Sequence, residues 1–275
     1  MYAVQAAAET FEVIRGDRSG NGQPGSIEVD VADASSVDRA FGQTKPDLVL
    51  LLAAMSDIDR CETLPEQAFA VNVRGAENVA NACARSNARL LFTSSAAVFD
   101  GSKHGYREED TIHPLSVYGK TKAWAENAVQ ALLPSAIVIR FALVLGLARK
   151  SGTNAMLDSM LRKWKAGEPV SLSTREVRNP IDAASLNRGM IGMLADSGVS
   201  GVYHVGASDS ISRYELGKRL AKRAGVSADL VRPQGEPVPG RAPRGEDHFL
   251  LTEKIRRCWN WEVESCDQVI ERCFS

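Results

Sequence analysis

The sequence predicts an α/β fold: a doubly wound parallel sheet followed by a smaller C-terminal lobe. Three observations carry that expectation. The runs Pro46–Ala54, Leu90–Phe92 and Ile137–Gly146 are apolar apart from Asp47 and Arg140, as strands buried on both faces of a parallel sheet should be. Helical patterns separate them, giving the alternation of strand and helix that builds parallel sheets. After Gly146 the pattern changes to an amphipathic helix, a short strand with a turn and a proline-rich loop, which is the signature of a second, smaller unit.

In chain order, Met1–Glu9 is rich in Ala and Gln and reads as a helix, and Phe11–Ile14 reads as a short strand. A literal G-x-G-x-x-G occurs at Gly20–Gly25. It is a decoy, because such a fingerprint must leave a strand and open a helix whose amides meet a pyrophosphate. Here Ser26–Val31 alternates like a strand, and Pro24 among three glycines suits a turn. Asp33 or Ser35 can cap a helix over Ser36–Gly42. Ala68–Ala84 is helical, and Ala53 and Ala54 at the end of the Pro46–Ala54 strand are small enough for a ligand to approach the backbone. Thr153–Gly167 reads as an amphipathic helix and Glu168–Val177 as a strand with turn. Asn179–Asp182 leads into a helix over Ala183–Ala195, Gly201–Gly206 returns to the sheet as a strand, and Ser212 caps a helix over Arg213–Ala224. Pro233–Pro243 holds four prolines and two glycines and reads as a loop.

The chain has 275 residues, 44% apolar and 24% charged, with a formal net charge of −1. Neither a nucleic-acid nor a membrane-surface binder is expected from that balance. No apolar run is long enough to cross a bilayer. The five cysteines are odd in number, carry no CxxC and match no zinc spacing, so neither disulfides nor a metal is expected. A cytoplasmic setting fits.

The chemistry is concentrated between residues 90 and 122. An apolar strand runs into Ser94-Ser95, and Tyr118 precedes Lys122 by four residues, which puts both on one helix face. A phenol has an unperturbed pKa of about 10. A neighbouring ammonium favours the phenolate, and a serine hydroxyl can hold the oxygen that exchanges the proton. Ser95, Tyr118 and Lys122 are therefore candidates for reducing a carbonyl or oxidising an alcohol beside a hydride carrier.

The ordered set Thr93–Gly101, Tyr106–Asp110, Pro114 and Tyr118-Gly119-Lys120-Thr121-Lys122 resembles the extended short-chain dehydrogenase/reductase superfamily. The likeness is greatest to the branch holding dTDP-4-dehydrorhamnose reductase and the regulatory beta subunit of methionine adenosyltransferase. It implies a Rossmann-like domain over residues 1–148, to which 178–206 returns, and a substrate-binding lobe over 149–177 and 207–275. It implies catalysis by Ser95, Tyr118 and Lys122, with Ser95 also binding substrate, and cofactor contacts at Arg15, Arg18, Asp30, Val31, Ala53, Ala54, Tyr118, Lys122 and Phe141. Arg15 and Arg18 favour NADP, while Asp17 keeps NAD possible. Arg241 or Arg244 would meet the diphosphate of a nucleotide-sugar, and Asn72 would be structural. The implied function is NAD(P)H-dependent reduction of a nucleotide-linked keto-sugar. The alternatives are an NADP-binding regulatory subunit without turnover and an NAD-dependent epimerase, with a homodimer or a regulated enzyme as possible partner.

Two departures stand out. Ala96 and Ala97 replace the Asp and Tyr of the reductases, which argues against dehydration. The first strand and glycine-rich turn expected ahead of the Met1–Glu9 helix do not occur, which implies a start misassigned by about ten residues. A chain lacking them is expected to bind cofactor weakly.

Overall fold

A computed structural model describes residues 2–8, 10–19, 25–146, 155–259 and 261–274. Helix α1 (Tyr2–Ala7) leads to two three-residue strands, β1 (Arg15–Asp17) and β2 (Ser26–Glu28). Then follow α2 (Ala34–Thr44), β3 (Leu48–Leu51), α3 (Ile58–Thr63), α4 (Pro65–Phe69), a π turn (Ala70–Arg74), α5 (Gly75–Ser86) and β4 (Arg89–Thr93). A 3₁₀ turn (Ala96–Val98) and a loop precede α6 (Val117–Leu132), β5 (Ile137–Phe141) and β6 (Leu143–Leu145).

The second part comprises α7 (Ala155–Lys165), β7 (Val170–Ser173), β8 (Val177–Arg178), β9 (Pro180–Asp182), α8 (Ala183–Ala195) and β10 (Gly201–Val205). It ends with β11 (Ile211–Ser212), α9 (Arg213–Arg223), β12 (Val231–Gln234), β13 (Asp247–His248), α10 (Glu253–Trp259) and α11 (Cys266–Cys273).

The central sheet is parallel, in the order β10-β5-β4-β3. Its strands are apolar on both faces because side chains alternate between two cores. Leu90, Phe92 and Val138 enter a cluster with Val37, Val79 and Cys83 from α2 and α5. Leu91, Ile137 and Ile139 enter the opposite cluster with Leu186, Met190 and Met193 from α8. A third core, built on Leu157, Trp164, Leu216, Leu220, Val269 and Ile270, belongs to the C-terminal elements.

Among the described residues, β1 and β2 form a separate parallel pair that does not join the four-stranded sheet. The Phe11–Ile14 strand is thus displaced to Arg15–Asp17, where Arg15 N donates to Gly25 O (2.8 Å) and the ladder with β2 begins. Gly25 has φ 72° and is followed by a strand, not a helix. The rest of the glycine-rich decoy, Gly20–Pro24, lies outside the described residues. The expected helix over Ala68–Ala84 is divided by the π turn, and α2 starts two residues earlier than the Ser36 expected, capped by Asp33 through Ser35 N. The strand read through Gly146 breaks after Phe141, and β6 then pairs with β9 outside the central sheet.

Candidate active site

Three elements meet at the C-terminal edge of the central sheet, and each is fixed by its own sequence. At the end of β4, Thr93 Oγ1 donates to Leu51 O (3.0 Å) and Ser94 N donates to Ile139 O (2.7 Å), which registers the strand end with both neighbours. Ser95 is extended and caps the 3₁₀ turn, its hydroxyl accepting from Ala97 N at 3.2 Å. Helix α6 opens at Ser116, which accepts from Gly119 N (3.1 Å), while Val117 N donates to Glu62 Oε1 (2.7 Å).

Gly119 allows the close approach of these two turns. A Cβ there would lie 2.2 Å from Ala97 O and 3.0 Å from the Pro114 side chain. The first turn of α6 therefore sits directly against the turn that carries Ser95. Asn72 secures the same helix from the other side. Its amide exchanges hydrogen bonds with Met55 N and O (2.7 and 3.1 Å), just past β3, and donates to Thr121 Oγ1 (2.9 Å). The π turn is the bulge that aims Asn72 at this junction.

Tyr118 is half-buried and Lys122 is 2% exposed, on one face of α6. Burial pushes the Tyr118 phenol up to about 12, and the Ser95 hydroxyl opposes that rise. Ser95 and Tyr118 are thus brought together as expected. Burial dominates the surroundings of the phenol, and Ser95 supplies its favourable contact. Burial brings Lys122 down to about 8, with Glu126 opposing, and its Nζ lies 4.3 Å from the centre of the Phe92 ring.

Ser95 also lines a cavity of about 200 Å³ that reaches from the sheet edge to the C-terminal elements. Arg178, Arg213 and Arg244 line it, with Glu176 as the carboxylate among its lining residues. Arg244 lines it with its guanidinium held bidentately by Asp59 (2.9 and 3.0 Å), and the same contact draws the Asp59 carboxyl below its usual range. Arg241 is half-exposed, 3.8 Å from the same carboxylate. Sequence reasoning missed Arg178 and Arg213. Arg178 is 7% exposed and donates to Val177 O, Glu246 O and Gly245 O, and Arg213 opens α9 beside Ser212. Their only signal is a basic residue at each of two element ends, and nothing in the linear order joins residue 178 to 213.

The remaining cofactor candidates lie near the same edge or on the β1–β2 pair. Ala53 is exposed and Ala54 half-buried just past β3, and Phe141 is half-buried at the end of β5. Asp30 and Val31 are half-buried after β2, with Asp30 Oδ1 accepting from Ala32 N (2.9 Å). Arg15 is half-buried in β1 and Arg18 exposed just beyond it. A wide surface depression beside Glu253, Arg257 and Trp261 contains none of the triad. Among the described residues, no group of three or more His, Cys, Asp or Glu is placed to hold a metal ion.

A parallel sheet flanked by helices, with serine, tyrosine and lysine gathered at its C-terminal edge, is the architecture of a short-chain dehydrogenase/reductase-type protein. Residues 3–275 match the RmlD substrate binding domain, and the chain belongs to that family. It is 32% identical over 237 residues to dTDP-4-dehydrorhamnose reductase of Mycobacterium tuberculosis, covering 83% of this chain and 76% of that one. It is 27% identical over 233 residues to methionine adenosyltransferase 2 subunit beta of Xenopus laevis, covering 83% and 70%. The crystal structure of dTDP-4-dehydrorhamnose reductase from Bacillus anthracis in complex with NADP superposes with a TM-score of 0.82 at 25% identity, covering 90% of this chain and 88% of that one.

Proposed function

We propose that this protein is an NADP-dependent reductase of a keto group on a nucleotide-linked sugar, the reaction type named for its reductase relatives. The observation that carries this reading is the contact of Tyr118 with Ser95, which itself lines a cavity walled by arginines.

The residues present fit a nicotinamide cofactor at the sheet edge. The Ser94 hydroxyl is buried without a hydrogen-bond partner, which is costly unless a bound group supplies one. Ala53 and Ala54 leave the end of β3 open, and Phe141 offers an apolar wall. Tyr118 and Lys122 would hold the nicotinamide ribose, while Asp30, Val31, Arg15 and Arg18 would meet the adenosine side. When bound, the reduced cofactor supplies the hydride.

Ser95 donates a hydrogen bond to the substrate carbonyl oxygen. Tyr118, kept protonated by burial, gives that oxygen its proton as charge develops there. Arg213, with Arg178 behind it and Arg241 and Arg244 at the rim, draws the diphosphate into the cavity. Residues 1–148 form the cofactor domain, with 178–206 returning to it, and 149–177 with 207–275 form the substrate lobe. The pairing of β10 with β5 supports that return. The five cysteines are free, which suits a cytoplasmic location. No helix among the described residues is long and apolar enough to cross a membrane.

Oxidation of NADPH followed at 340 nm in the presence of a dTDP-linked 4-keto sugar tests the reading. Turnover that is lost in Tyr118→Phe supports it. The likeness to a methionine adenosyltransferase subunit favours one other reading, a regulatory NADP-binding subunit. That reading gains if NADPH binds saturably, no keto-sugar turns over, and a methionine adenosyltransferase co-purifies.

A further inference from the structure

Glu126 lies four residues after Lys122, one helical turn further along the same face of α6, and is 1% exposed. Both of its oxygens are taken by Arg140 from β5. Nε donates to Oε1 at 2.9 Å and NH2 to Oε2 at 2.6 Å. Arg140 is itself 2% exposed, its guanidinium 5.2 Å over the Phe99 ring, and NH1 donates to Glu108 O at 3.2 Å. NH1 also lies 3.3 Å from His204 Nε2, while His204 Nδ1 meets Tyr106 O at 3.1 Å. That pairing leaves Nε2 the acceptor of a neutral imidazole, consistent with the strongly depressed pKa of His204.

An ion pair this deep is poor as a stabilising device, because removing two charges from water offsets most of their attraction. Its location suggests another use. Lys122 is a buried cation resting on Phe92, and an aromatic face is a weak counter-charge. Two other groups on neighbouring elements face the start of the helix: Cys61, beside Tyr118, and Glu62, on Val117 N. Arg140 and His204 approach from β5 and β10, one positive and one neutral. Glu66 and Arg74, on α4 and the π turn, are exposed, and Glu77 on α5 is half-buried. Glu126, one turn along the Lys122 face of α6, is the buried carboxylate placed to favour that charge.

We propose that Glu126, locked in place by Arg140, is a positioning residue whose carboxylate keeps the Lys122 ammonium charged and seated beneath the cofactor site. Arg140 binds both carboxylate oxygens and so fixes Glu126 on the helix. The inference deepens the role given to Lys122 above, and its test separates the two.

The experiment is the dissociation constant of NADPH, read by nicotinamide fluorescence from pH 6 to 10. It uses the wild type, Glu126→Gln, Glu126→Asp, Glu126→Gln with Arg140→Met, and Lys122→Met. The wild type is expected to weaken as pH passes about 8, where Lys122 loses its proton. Glu126→Gln is expected to match the wild type at pH 6 and to lose affinity about one pH unit earlier, so that binding at pH 8 is about fivefold weaker. Glu126→Asp should restore part of the shift. The double variant removes the stranded buried cation, so it keeps the test informative if Glu126→Gln does not fold, and it should retain the early loss. A wild-type pH limit in either neutral variant overturns the proposal. If Lys122→Met binds NADPH with the wild-type pH profile, the role of Lys122 itself fails, and with it this inference; a flattened profile in Lys122→Met with an unshifted Glu126→Gln sinks the inference alone.

Discussion

At the scale of single residues, the active groups are distinguished by what surrounds them rather than by their type. Burial keeps Tyr118 protonated, as the proposed proton transfer requires, and Ser95 is its favourable contact. Replacing it with Phe removes one hydroxyl from a packed position. Turnover is expected to fall at least a hundredfold, with thermal stability close to wild type, as steady-state kinetics and calorimetry would check. His204 and His248 make a second case. Burial, with Arg140 and Arg178 respectively, holds both near 3, well below free histidine. The unfolded chain therefore binds more protons than the native one between about pH 6.5 and 3, and stability is lost as pH falls through that window. Each histidine should account for about 2 kcal/mol of that loss between pH 7 and 5. Urea melts of wild type and His204→Gln at the two pH values would measure the difference, which should be smaller in the variant. Ser95, Tyr118 and Lys122 were legible in the sequence because their spacing is local. The counter-charge on Lys122 was not, since Glu126 reads as one more polar residue on a helix until Arg140 arrives from another strand.

At the scale of elements, the site depends on two turns that touch. Gly119 is the point of contact, where an added methyl group meets the Ala97 carbonyl at 2.2 Å. Gly119→Ala is expected to cost about 1–3 kcal/mol from overpacking. It should also lower kcat more than it raises KM, because the first turn of α6 must move Tyr118 away from Ser95; denaturant melts with kinetics would show both. Element type was readable wherever burial is two-sided or a cap is present. Ala183–Ala195 was expected and is observed with the same bounds, capped by Asp182. The boundaries that moved did so where tertiary contacts outrank local pattern. The Phe11–Ile14 run has strand-like composition, yet the ladder forms at Arg15–Asp17, where β2 provides a partner. The π turn was invisible because its residues are ordinary helix formers, and only the bonds of Asn72 to Met55 and Thr121 account for the bulge.

At the scale of the whole molecule, the cavity is closed by contacts between residues far apart in sequence. Arg244 from the C-terminal loop clamps Asp59 on α3, and Ala242 N donates to the same carboxylate (2.8 Å). Asp59 is about half exposed, so the clamp contributes little to global stability. Its effect is local order. Arg244→Ala is expected to speed amide exchange in the loop around residues 238–246 and to raise KM for the sugar nucleotide severalfold, with an unchanged melting temperature. This closure was only half legible: proline and glycine marked the loop and its arginines drew attention, but the Asp59 partner lies some 185 positions away.

The separation of the β1–β2 pair from the four-stranded sheet has a practical corollary for redesign. The side chains proposed to read the adenosine phosphate, Arg15 and Arg18, sit on or beside a strand pair that, among the described residues, shares no ladder with the strands presenting Ser95. On the proposed roles, coenzyme preference and proton transfer rest on separate struts of the framework, so substitutions at Arg15 and Arg18 meant to exchange one nicotinamide dinucleotide for the other should leave Ser95 and Tyr118 undisturbed.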